Sequence, residues 1–111
     1  MKPLASIILP LSFALFAATA TGQEIKEYAL TIKNNRFEPS ELHVPANIKF
    51  KLAVTNQDSA AEEFESKAMK VEKIVPPGTS ATLFVGPLKP GHYPFEGEFH
   101  SKTARGVVVA E

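Results

Sequence analysis

Two short stretches hold most of the residues capable of metal chemistry. Glu62-Glu63-Phe64-Glu65 is followed by Met69, and Glu98-Phe99-His100 lies further along the chain. Glu63 and Glu65 are two apart, so on a strand they share a side. Glu98 and His100 have the same spacing in what reads as a loop. The set offers carboxylates, one imidazole and one thioether. Carboxylates are hard, anionic ligands that favour Fe(III) over Fe(II) and so ease the loss of an electron. Imidazole suits iron, copper and zinc alike, and a thioether suits Cu(I). The mixture selects no single metal, and Cu(II) outcompetes Fe(II) at nearly any such site. Plainer readings stand beside these: an acidic run as a solvated edge strand, Glu98 as a surface loop residue, Met69 as core filler. His43 and His92 alternate outward beside Leu42, Val44 and Tyr93 and read as surface residues. Phe64, Tyr93, Phe95 and Phe99 read first as packing residues.

Composition removes many other chemistries. The chain has no cysteine, which excludes thiol catalysis, zinc knuckles and iron–sulfur ligation. No Ser-His-Asp triad, phosphate loop or acid pair with catalytic spacing is present. The formal net charge is zero, with 12 basic and 12 acidic residues. A near-neutral surface without a basic patch or an aromatic ladder argues against nucleic acid as a partner.

The elements that must position these residues begin after an export signal. Lys2 precedes an uncharged stretch, residues 3–22, with an apolar run at 7–16 and small residues at Ala18-Thr19-Ala20. Residues 1–20 are expected to be a signal peptide, cleaved after Ala20 or, as second choice, after Gly22. An uncleaved anchor is the alternative. The Ala, Thr and Gly of the second half, with no positive flank, speak against it. Cleavage leaves residues 21–111 as one domain that does not insert into the membrane. A domain of about 90 residues buries somewhat over 60% of its unfolded surface. With no disulfide, packing alone must hold it.

Strand signals then follow one another. Tyr28, Leu30 and Ile32 alternate with Glu27, Ala29 and Thr31 until Asn34-Asn35 breaks the pattern. Residues 42–44 form a short strand before Pro45. Over 48–55, Ile48, Phe50, Leu52 and Val54 oppose Lys49, Lys51, Ala53 and Thr55, a period of two with one face buried. Shorter strands are expected at 63–65, 70–75, 81–85, 92–96 and 106–110, separated by Pro and Gly turns, with at most a helical turn within 60–69. This pattern predicts an all-β fold, a two-sheet Greek-key sandwich. Phe50, Leu52, Val54, Leu83, Tyr93, Phe95, Val107 and Val109 are its expected core.

Several motifs carry a resemblance. Arg36-Phe37-Glu38-Pro39-Ser40-Glu41-Leu42-His43-Val44, the strand ending at Asn56, Pro77-Gly78, Pro90-Gly91-His92-Tyr93-Pro94-Phe95 and Gly106-Val107-Val108-Val109 resemble, in order and spacing, the passages of small cupredoxins. In a blue-copper member the Tyr-x-Phe strand leads into Cys-x-x-His and then Met. Here the Cys position falls on Gly97 and the His on His100, no Met follows, and the earlier His falls at Glu62 or Glu63. Without the thiolate, the resemblance does not imply a blue-copper electron carrier. Glu63-Phe64-Glu65-Ser66, Glu72-Lys73-Ile74, and Gly97-Glu98-Phe99-His100 resemble the cupredoxin-like periplasmic subunits of bacterial ferrous-iron uptake systems, and the cupredoxin domain of EfeO-type iron proteins. That resemblance implies a periplasmic protein that binds or helps oxidise Fe(II), with iron or copper as its metal. Its implied partners are a periplasmic iron-binding protein and an inner-membrane iron permease. The fold implies that Glu63 and His100 meet at one end of the sandwich as the main ligands, supported by Glu65, Glu98 and Met69. A metal-free module docking onto a membrane transport complex is the alternative.

Overall fold

A computed structural model describes residues 24–111. The expected signal peptide lies outside the described residues. Among the described residues nine strands run in chain order: β1 Glu27–Lys33, β2 Arg36–Glu38, β3 Glu41–Val44, β4 Phe50–Asn56, β5 Glu62–Ser66, β6 Val71–Val75, β7 Ser80–Val85, β8 Gly91–Gly97 and β9 Arg105–Ala110. A single 3-10 turn, Glu98–His100, separates β8 from β9 among the described residues. The strands form two sheets, ordered β2-β1-β4-β7 and β3-β9-β8-β5-β6. β1 pairs with β4 and β3 with β9 in parallel, so the chain crosses between sheets in the Greek-key manner. No α-helix forms, in the 60–69 stretch or elsewhere among the described residues.

The period-two pattern places the core where the sequence puts it in β1, β4 and β5. Leu30, Ile32, Phe50, Leu52, Val54 and Phe64 are buried, and the residues between them face outward. Phe37, Phe64 and Phe95 form an aromatic trio with ring centroids 5.0–5.9 Å apart, mostly edge-on, which favours the ring quadrupoles. The hairpin β1–β2 closes on Asn34-Asn35, both with positive φ (53° and 56°), as a two-residue turn requires. The Asp58 carboxylate accepts both turn amides, at 2.8 and 2.9 Å, and ties the hairpin to the loop after β4.

Three expectations need correction. Ile48 is not in the core: it is 46% exposed and precedes β4. Asn47, with φ of 62°, turns the chain just before it, so the alternation starts only at Phe50. In β9 Val108 and Ala110 sit opposite Leu42 and Val44 and are buried; Val109 is buried as expected, at 8% exposure, but Val107 is only half-buried. Three consecutive valines carry no period, so the sequence held no signal for which face turns in. Phe99 is exposed rather than packed.

Candidate metal centre

The dipeptide Glu62-Glu63 divides between two environments because successive side chains of a strand point to opposite faces. Glu62 shares its face with Phe64 and is 1% exposed; Glu63 and Glu65 lie on the outer face of the five-stranded sheet, half-buried. β5 is therefore not a solvated edge strand. It lies between β6 and β8, and one side of it belongs to the core.

The inner environment is fully satisfied. One Glu62 oxygen accepts the backbone N–H of Glu63 at 3.0 Å and of Phe99 at 2.9 Å; the other is 2.6 Å from His100 Nδ1. A carboxylate only accepts, so Nδ1 carries the proton and Nε2 remains as the ring's ligand atom. The His100 side chain is 29% exposed. This arrangement occupies the place where a thiolate would be needed. A Cβ built on Gly97 would stand 2.5 Å from Glu62 Cδ and 2.8 Å from Ala104 Cβ. The blue-copper site therefore fails twice: the thiol is missing, and the Glu62 carboxyl fills the space beside Gly97.

The outer environment is the reverse. Glu63, Glu65 and Glu98 bring one carboxylate oxygen each to within 4.8 Å of the others. Strand register explains it: Phe64 sits opposite Gly97, so the residues flanking that pair, Glu63 and Glu98 among them, come side by side. The hydrogen bond shared with Glu98 raises the Glu65 carboxyl pKa, helped by loss of water and by repulsion from Glu98; Lys67 pulls it the other way. Glu72 and Glu96 lie on either side of Glu65 in the same cross-strand row. Three hard oxygen donors so placed suit a divalent or trivalent cation.

The structure thus brings together Glu63, Glu65 and Glu98 of the expected ligands. His100 stands outside that group and bonds to Glu62 rather than Glu63. Met69 is 7% exposed within the hydrophobic core, its N–H bonded to Ser66 Oγ at 3.1 Å. Glu62 is the residue that sequence reasoning undervalued. The signal was available: Glu62 is two residues from Phe64 and must share its face. His43 and His92 are exposed, as expected. His43 is held between Glu111 at 2.7 Å and Glu41 at 3.1 Å, and these hydrogen bonds raise its pKa.

Comparison with known proteins agrees with this architecture. RP394, an uncharacterized protein of Rickettsia prowazekii (strain Madrid E), is 42% identical over 89 residues, covering 80% of this chain and 71% of its own length. Auracyanin A, a "blue" copper protein from Chloroflexus aurantiacus, superposes with a TM-score of 0.66 at 12% identity, over 77% of this chain and 98% of its own. The purple cupredoxin from Nitrosopumilus maritimus gives a TM-score of 0.58 at 18% identity, over 75% of this chain and 98% of its own. At these identities the structural likeness is one of fold. The family model of the cupredoxin-like domain matches residues 5–110, and the chain belongs to that family.

Proposed function

We propose that this is a periplasmic metal-binding cupredoxin-like protein that binds Fe(II) for uptake and favours its oxidation, using the outer-face carboxylates. The observation that supports the reading most directly is the convergence of Glu63, Glu65 and Glu98 within 4.8 Å. Carboxylates held that close repel one another, and a bound cation relieves the repulsion. An all-oxygen set also holds Fe(III) more firmly than Fe(II), which lowers the cost of oxidation. Copper is the competing metal, since Cu(II) exceeds Fe(II) in affinity at sites of this kind. The resemblance in sequence supports a place beside a periplasmic iron-binding protein and an inner-membrane iron permease.

A second reading, a metal-free docking module, is favoured by Ile74 and Phe99. They are 54% and 51% exposed. Ile74 sits opposite Glu63 and Phe99 follows Glu98, so both border the carboxylates. Anaerobic calorimetric titration with Fe(II) separates the two readings. The parent protein is expected to bind, Glu65→Gln and Glu98→Gln each to weaken binding about tenfold, and His100→Ala to weaken it less, because His100 is engaged by Glu62. A parent protein that takes up neither Fe(II) nor Cu(II) leaves the docking module as the function.

A further inference from the structure

The five-stranded sheet carries a notch beside the carboxylates. β8 pairs with β9 from Gly91 through Glu96 but with β5 only at Phe64↔Gly97 and Glu65↔Glu96. Pro94 is the reason. Its carbonyl accepts the Ser66 hydroxyl at 2.7 Å, so its nitrogen also faces β5, and that nitrogen has no hydrogen to give to a ladder. A side-chain bond replaces the next rung, the chain leaves β5 after Ser66, and a cavity of about 500 Å³ opens where the strands part. That volume lies in the range of small-molecule sites.

The lining has both signs of charge on a largely apolar base. Ala68, Pro94 and Phe95 supply apolar lining; Glu65, Glu96, Lys67 and Arg105 line it with charge. Strand register sets Glu65, Glu96 and Arg105 in one row across the sheet. Arg105 Nε donates to the Ser101 carbonyl at 2.5 Å, which steadies the guanidinium. Among the described residues neither Lys67 nor Arg105 forms a salt bridge. Glu65 belongs both to this cavity and to the three-carboxylate group.

These charges narrow the occupant. A free small anion meets Lys67 and Arg105 but is repelled by Glu65 and Glu96. A bare cation has no use for the two basic residues. A cation that arrives with a small anionic chelator satisfies both sets. We propose that the notch holds the organic part of a metal chelate, a small polycarboxylate, whose free carboxylates meet Lys67 and Arg105 while its metal meets Glu63, Glu65 and Glu98. This inference rests on the reading of those three glutamates as metal ligands.

Equilibrium dialysis of the mature chain with labelled citrate, in the presence and absence of Fe(III), tests it. Citrate is expected to be retained with Fe(III) and at least about tenfold more weakly without metal. Lys67→Gln and Arg105→Gln, both at exposed positions, are each expected to weaken that retention about fivefold, while anaerobic Fe(II) binding stays within about twofold. If citrate strips the iron and leaves the chain empty, or is retained equally without metal, the inference falls and the metal reading survives. If the parent chain binds no Fe(II), the metal reading falls as well.

Discussion

Glu62 and Glu63 are neighbours in sequence and opposites in circumstance. Glu62 is buried, and three donors reach its two oxygens. Glu63 faces outward, with one carboxylate oxygen of Glu65 and one of Glu98 within 4.8 Å of its own. A carboxylate satisfied by protein donors is a structural cross-link: here it joins β5 to the 3-10 turn. Carboxylates that face one another repel when both are charged, and a shared proton, as between Glu65 and Glu98, or a cation relieves that repulsion. The end of the fold that lacks the thiolate is thus cross-linked by Glu62, and the candidate ligands Glu63, Glu65 and Glu98 lie on the outer face of β5 and in the turn beside it.

The sharpest way to break this contrast is to remove the inner carboxylate. Glu62→Ala leaves two backbone N–H groups and the His100 ring without their acceptor, and is expected to cost about 3 kcal/mol in urea unfolding. Its effect on Fe(II) affinity should be smaller than that of Glu98→Gln. A Glu62→Ala protein as stable as the parent removes the structural role. Crowding the same place is the next test. Gly97→Ala puts a Cβ against the Glu62 carboxyl and is expected to cost about 2 kcal/mol; no loss of stability would show that the carboxyl moves aside readily.

The smallest expected effect concerns the outer group and pH. The Glu65 carboxyl has a raised pKa in the folded chain, so the folded state holds that proton more tightly than the unfolded state does. The stability this provides is fully present below the ordinary Glu value of 4.5 and is lost as pH rises through the raised one. Metal-free parent protein should therefore lose thermal stability over this interval relative to Glu65→Gln, and added Fe(II) should restore it at neutral pH. Parallel melting profiles for the two proteins would remove the repulsion from the account.

Much of the sandwich was legible because period-two alternation is a local property. Leu30, Phe50, Leu52 and Val54 declare their face by spacing alone, and Asn34-Asn35 marks its own turn. Val107-Val108-Val109 does not, because an uninterrupted run leaves the choice of face to the partner strand. The absence of cysteine by itself ruled out the blue-copper centre, since no fold supplies a missing thiolate. The sequence also presented Glu63, Glu65, Glu98 and His100 as candidate ligands, but it left open which of them meet. Register decided that. Pairing Phe64 with Gly97 set Glu63 and Glu98 side by side on the outer face, and the same rung turned Glu62 inward onto His100. A one-residue slip would reverse both faces, so which glutamate becomes a cross-link and which joins the outer carboxylates is determined only when the strands pair.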